Sequence, residues 1–325
     1  MNRKHLLTAF AAAALLGALT SGPAQAQEPP MKLVIGFPPG GAVDNLARSL
    51  AEKLRTSLGT TVLVENRPGG NTFIAMDAVK KAPPDGRTVL INFSNAWTIY
   101  PYTFKTLPYD AAQDFVPVAN LVKFPLALSA GANQPYRNFD EYRKWVTAAP
   151  GRASVGMPGS GTSANFAVLQ MGKAIGTDIT AVAYKGGALI LADEMGGHIG
   201  AGIDSIGSKL ELFRGGKIRI LAVTGAKRTP LAPDVPTFGE LGVRGLDYPS
   251  GWYGAFVPAR TPADVVARLS RALNDAMADP ALRKQLDNFG LEVAGGTPAE
   301  LAATIASDQK FWKPVIEAAG MAGSQ

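Results

Sequence analysis

The chain has 325 residues, a net charge of +6, 46% hydrophobic residues, no cysteine and two histidines. Its length exceeds a typical domain, so two α/β lobes or one large α/β unit are expected. Lack of cysteine excludes disulfides within the chain, a lipid-modified N-terminal cysteine and thiol nucleophiles, and two histidines exclude a histidine-rich zinc site.

In chain order, the first element is a targeting signal. Asn2-Arg3-Lys4 is a basic start, Leu6 to Leu19 is apolar and uncharged, and Ala24-Gln25-Ala26 is a small-x-small cleavage site. This predicts a secretory signal peptide over residues 1–26, cleaved after Ala26. A membrane anchor would need about 20 apolar residues, more than this run offers. Cleavage removes Arg3, Lys4 and His5, leaving His198 and a mildly basic chain without a basic block, so no nucleic-acid partner is expected. A soluble periplasmic monomer without cofactor or metal is expected.

From residue 31, short apolar runs alternate with helical patterns, the signature of parallel α/β architecture. Strands are predicted at Leu33–Phe37, Thr61–Glu65, Thr88–Asn92, Ser154–Met157, Ile179–Ala183, Ala201–Asp204 and Ile218–Val223. After the first strand, Val43, Leu46, Ala47, Leu50, Leu54 and Leu58 share one helix face, with Asp44 and Arg48 as an i,i+4 pair. Near the C-terminus, Thr261-Pro262-Ala263-Asp264 and Thr297-Pro298-Ala299-Glu300 read as helix starts, the second as a capping box.

Interruptions around Leu128–Asn138 and the prolines of Thr229–Ser250 predict two crossings between lobes. The expected organisation is lobe 1 over 27–130 plus 250–325, and lobe 2 over 131–249. Each is a mainly parallel sheet flanked by helices, with the ligand cleft between them.

Two glycine-rich turns stand out. Phe37-Pro38-Pro39-Gly40-Gly41 joins a strand to a helix, where missing Cβ atoms and first-turn N–H groups make an anion site from backbone alone. Pro158-Gly159-Ser160-Gly161-Thr162-Ser163 repeats the device and adds hydroxyls that cap the helix or bind a ligand oxygen. A bulky residue at Gly41 or Gly161 is expected to abolish binding while sparing the fold. Gly159-x-Gly161-x-x-Ala164 also fits a dinucleotide fingerprint, but the acid expected near Tyr184-Lys185-Gly186-Gly187 is absent. His198, in Met195-Gly196-Gly197-His198, reads as a helix-end residue, and no G-x-S-x-G elbow surrounds Ser160.

Further stretches extend the pattern: Val64-Glu65-Asn66-Arg67-Pro68-Gly69-Gly70, Pro84-Asp85-Gly86-Arg87-Thr88-Val89-Leu90, Leu107-Pro108-Tyr109-Asp110, Asp114-Phe115-Val116-Pro117-Val118, Ala183-Tyr184-Lys185-Gly186-Gly187 and Asp234-Val235-Pro236-Thr237. With the opening turn, the chain resembles the substrate-binding proteins of tripartite tricarboxylate transporters, the Bug family, over nearly its whole length after the signal. The resemblance implies a two-lobed, type II-like periplasmic binding protein that closes on a small carboxylate gripped by the two turns. It assigns Phe37, Pro38, Gly40, Gly41 and Asp44 to the site from one lobe. From the other it assigns Gly159, Ser160, Gly161, Thr162, Asn165, Asp204 and Ser205, and Ser94 is a further candidate.

The resemblance also implies membrane permease subunits as partners, with a sensor kinase as the alternative. The sequence departs from the family's pattern at Asn71-Thr72-Phe73-Ile74-Ala75-Met76, where small residues and glycine are usual, and at Asn165, where histidine is frequent. If Trp97 or Tyr100 faces the cleft, an aromatic or apolar acid is favoured; as core residues they carry no such message. The competing class is a periplasmic hydrolase or isomerase using Asp44, Asp204 or Ser160, which needs an acid-base partner that the sequence does not offer.

Overall fold

The structure is a computed structural model that describes residues 29–247 and 251–325; the expected signal peptide lies outside the described residues. β1 (Met31–Ile35) leads to α1 (Ala42–Leu58), β2 (Val62–Asn66), α2 (Phe73–Lys80), β3 (Thr88–Phe93), the short α3 (Asn95–Thr98) and α4 (Tyr100–Thr103), and β4 (Phe115–Phe124). Beyond Pro125 follow β5 (Leu126–Gly131), α5 (Phe139–Ala148), β6 (Ser154–Pro158), α6 (Ser163–Ile175), β7 (Thr180–Tyr184) and α7 (Gly187–Gly196). Next come β8 (Ala201–Ser205), α8 (Leu210–Arg214) and β9 (Ile218–Val223). The chain ends with β10 (Gly251–Pro258), α9 (Ala263–Ala278), α10 (Pro280–Asn288), β11 (Glu292–Val293) and α11 (Pro298–Ala318).

Two sheets result, one in the order β11-β4-β10-β3-β1-β2 and one in the order β7-β6-β8-β5-β9. Both are mixed rather than mainly parallel. β1 pairs in parallel with β2 and β3, and β6 with β7 and β8, as the βα series predicts. The strands that follow a crossing insert the other way: β10 is antiparallel to β3 and β4, and β5 to β8 and β9. Among the described residues no crossover helix directly precedes β5 or β10, so the parallel direction of βαβ units is not imposed on them.

The chain passes between sheets at Pro125, which alone separates β4 from β5. Residues 126–130, expected in lobe 1, therefore pair in the second sheet. The return falls between β9 and β10: Thr237 still bridges to Val223 of the second sheet, and β10 joins the first.

α1 buries the expected stripe of Val43, Leu46, Ala47, Leu50 and Leu54 and ends on Gly59. Thr297 and Glu300 form the predicted capping box of α11. Thr261 does not cap α9: its hydroxyl donates to the Pro258 carbonyl at 2.7 Å, and Pro262 takes the cap position. One contiguous apolar core runs through both sheets, from Ile35, Leu50 and Ile91 to Val155, Ile203 and Leu221. No helix among the described residues is long and apolar enough to cross a membrane.

Candidate functional site

Gly36 to Gly41 connect β1 to α1. Phe37 is half-buried, with the rings of Phe93 and Tyr253 edge-on at 5.4 and 6.3 Å, whereas Pro38, Gly40 and Gly41 are exposed. Gly40 adopts φ +89°, a conformation that glycine takes without a Cβ clash. Its N–H donates to Asp44 Oδ2 at 2.9 Å, and Arg48 Nε donates to the same oxygen at 2.9 Å. Asn66 Nδ2 donates to Asp44 Oδ1 at 2.9 Å and to the Phe37 carbonyl at 3.1 Å. Burial alone would raise the Asp44 carboxyl, but the hydrogen bonds from Arg48, Gly40 and Asn66, with the Arg48 charge, hold it below the usual carboxylate range.

Asp44 is thus an internal brace of the turn. Gly41 precedes α1 in ordinary extended geometry (φ −82°, ψ 173°), and no side chain caps the helix. A Cβ on Gly41 would meet nothing within 4 Å, so the turn opens onto free space at the positive end of the helix dipole.

The β6–α6 turn follows the same plan. Gly161, at φ +65°, donates its N–H to Asn165 Oδ1 at 3.1 Å, the i,i+4 relation of Gly40 to Asp44. Thr162 Oγ1 accepts from the Asn165 N–H at 3.3 Å and donates to the Gly159 carbonyl at 3.3 Å. Thr162 and Asn165 are buried and hold the turn, while the half-exposed Ser160 stands at its tip.

The ends of β7 and β8 supply a third part. Asp204 Oδ2 lies 2.2 Å from where a Cβ on Gly187 would stand, so the carboxyl rests against the start of α7, a helix without a side-chain cap. Asp204 accepts from the Ser205 N–H at 2.7 Å and from Ser208 Oγ at 3.1 Å. Burial raises its carboxyl above the ordinary value, opposed by the Lys209 charge and by those two hydrogen bonds. Burial likewise raises the Tyr253 hydroxyl, and the nearby Asp204 charge adds to this across the sheets.

These parts meet between the sheets. The ring of Pro38 lies 3.9 Å from where a Cβ on Gly186 would be, and the Asn71 side chain 2.8 Å from that position on Gly159. Phe166 of α6 packs on Trp312 of α11 at 5.6 Å. A separate groove of about 500 Å³, lined by Val116, Thr261, Val266, Ser270, Arg271 and Thr297, includes no residue of either turn.

The sequence profile of the tripartite tricarboxylate transporter family receptor matches residues 46–321. The chain belongs to that family. A relative of Pseudomonas sp. strain P51, a UPF0065 protein, is 35% identical over 88% of this chain and 85% of its own length. Among solved structures, the periplasmic binding protein BugD is 30% identical, covers 91% of this chain and 99% of its own, and gives a TM-score of 0.84. R. palustris Rpa4515 with adipate is 30% identical over 90% and 98%, TM-score 0.85. MatC from Rhodopseudomonas palustris with bound malate is 27% identical over 88% and 98%, TM-score 0.80. The architecture is accordingly the two-lobed α/β fold of periplasmic binding proteins.

In this family member, Trp97 and Tyr100 are core residues, 2% and 1% exposed. Trp97 stacks on Phe256 at 3.6 Å and Tyr100 packs on Phe73, Phe93 and Phe104. Ser94 follows β3, 7% exposed, with its N–H on the Trp252 carbonyl at 2.9 Å. His198 is exposed beyond the Gly197 cap of α7, as its sequence context predicts. Sequence reasoning flagged Asn71 as a departure from the family's pattern and Gly186-Gly187 as part of a motif, but assigned none of Asn71, Gly186, Gly187 and Tyr253 to the site. The Gly186-Gly187 pair before a helix carried the same signal as Gly40-Gly41, whereas nothing local marked Tyr253 or told that Asn71 reaches the other lobe.

Proposed function

We propose that this receptor captures a small carboxylate in the periplasm, between lobes joined at Pro125 and at the β9–β10 return, and delivers it to the membrane permease subunits of a tripartite tricarboxylate transporter. Export follows from the signal expected over residues 1–26. The observation that carries the reading is the pair of braced glycine turns, Pro38–Gly41 and Gly159–Thr162, on different sheets and each reached from the other lobe: Pro38 lies against Gly186, and Asn71 against Gly159. Each spends one N–H on its own i+4 side chain, and the uncapped start of α1 leaves donors for an anion. Phe37, Phe93 and Tyr253 flank the solute's hydrocarbon, and Ser94, Ser160, Asp204 and Ser205 border it. Adipate and malate in related structures support a dicarboxylate. Delivery to a sensor kinase instead would use the same closed form.

Catalysis is not part of this reading. Asp44 is saturated by its donors Gly40, Arg48 and Asn66, His198 is exposed beyond the end of α7, and Asp204 accepts hydrogen bonds from Ser205 and Ser208. The test is a thermal-shift screen against mono-, di- and tricarboxylates and their amide analogues, with mass analysis of each bound solute. A stabilising acid recovered intact, with its amide silent, is expected. Silence of all acids after unfolding and refolding would remove the carboxylate assignment, and a chemically altered solute would favour an enzyme.

A further inference from the structure

Asn71 and Thr72 are the non-glycine residues with positive φ among those described, at φ 52° and 74°. The left-handed region is uncommon for asparagine and costly for a β-branched threonine, so the surrounding structure must impose it. Three contacts do so. The Thr72 N–H donates to the Gly69 carbonyl at 3.0 Å, and buried Asn92 donates through Nδ2 to Thr72 Oγ1 at 2.9 Å. Thr72 also fills the space over Gly36, its Cβ 2.4 Å from where a Cβ on Gly36 would stand. The strained turn is therefore wedged between the ends of β1 and β3, beside the first glycine turn.

The wedge delivers Asn71. Its half-buried carboxamide crosses to the other lobe, with Oδ1 2.8 Å from where a Cβ on Gly159 would be. A polar side chain held by backbone strain, between two anion-binding turns and in contact with both lobes, is placed to touch both solute and closure. Relying on the receptor reading above, we propose that Asn71 is a specificity-determining residue. Its amide donates a hydrogen bond to a solute oxygen, and its side chain latches onto the Gly159 turn with or without solute, so its length sets how large a solute the closed cleft accepts.

Asn71→Gly and Asn71→Asp test this in two arms. Without solute, Asn71→Gly relieves the left-handed backbone while deleting the latch. A Tm at or above wild type with a larger radius of gyration by small-angle scattering is expected. An unchanged radius would overturn the latch. With adipate, malate and citrate as probes, calorimetry should show at least tenfold weaker binding for Asn71→Gly. Asn71→Asp keeps the shape but sets a negative charge against the carboxylate, so its loss should be greater. Wild-type affinity in Asn71→Asp would overturn the solute contact. If the wild-type protein binds none of the three, the receptor reading loses support, while the solute-free arm still decides the latch.

Discussion

At the scale of single residues, the two glycines that look equivalent in sequence are not. Gly41 has an extended backbone and open space where a Cβ would go, so a larger residue there meets neither strain nor a neighbour. Gly161 sits at φ +65°, and a Cβ would stand 3.1 Å from both Thr103 Oγ1 and Gln325 Cγ. Substituting Gly161 strains backbone and packing together, so a substitution that spares the fold is predicted at Gly41 only. Gly41→Val should keep the wild-type Tm within a degree or two while carboxylate affinity falls at least tenfold by calorimetry. Retained affinity would take this turn out of the site. Spacing alone could not separate the two glycines, because φ is a property of each turn's own path and the contact with Thr103 depends on how the lobes meet.

At the scale of elements, α11 shows how tertiary packing overrides a polar pattern. Its start was legible in Thr297-Pro298-Ala299-Glu300, since a capping box is local chemistry. Further along, in the polar run Ser307-Asp308-Gln309-Lys310, Asp308 is 5% exposed and accepts a hydrogen bond from Trp252 Nε1 at 2.8 Å. Gln309 Nε2 donates to the Trp97 carbonyl at 2.9 Å, tying the helix to α3. Burial pushes the Asp308 carboxyl up to about 6, and the indole donor opposes part of that rise.

The folded state then binds a proton that the unfolded chain releases, so this group's stabilisation is present in acid and lost as pH rises from about 4 to about 6. Asp308→Asn keeps an acceptor for the indole and removes the charge. Its Tm should exceed wild type by a few degrees at pH 8, with the gap closing by pH 4. A gap independent of pH would contradict the buried, raised carboxyl.

For the whole molecule, the decisive geometry is where the lobes touch. Near Pro125, whose carbonyl accepts from the Ile206 N–H at 3.0 Å, Gly207 meets the loop after α10. A Cβ on Gly207 would stand 1.9 Å from the Phe289 carbonyl oxygen, and one on Gly290 2.4 Å from Gly207 Cα. Backbone against backbone leaves no flexible side chain to yield, so Gly207→Ala must shift one lobe relative to the other. The expected outcome is a changed small-angle scattering profile with unchanged far-ultraviolet circular dichroism. An identical profile would show that this contact does not set the lobe angle.

Local chemistry determined much of this protein from sequence alone: the βα repeats around β1–β3 and β6–β8, the α1 face, the α11 cap and both glycine turns, because period and turn residues act within a few positions of each other. β5 and β10 escaped because strands buried along nearly their whole length lack alternation, and in β4 Pro117 marks a register shift rather than a break. Only the tertiary structure decided that both sheets are mixed, that Trp97 and Tyr100 are core, and that Asp44 and Asn165 brace their turns. It alone carried Asn71 across to Gly159, since that contact joins residues far apart in sequence through lobe packing that no local pattern encodes.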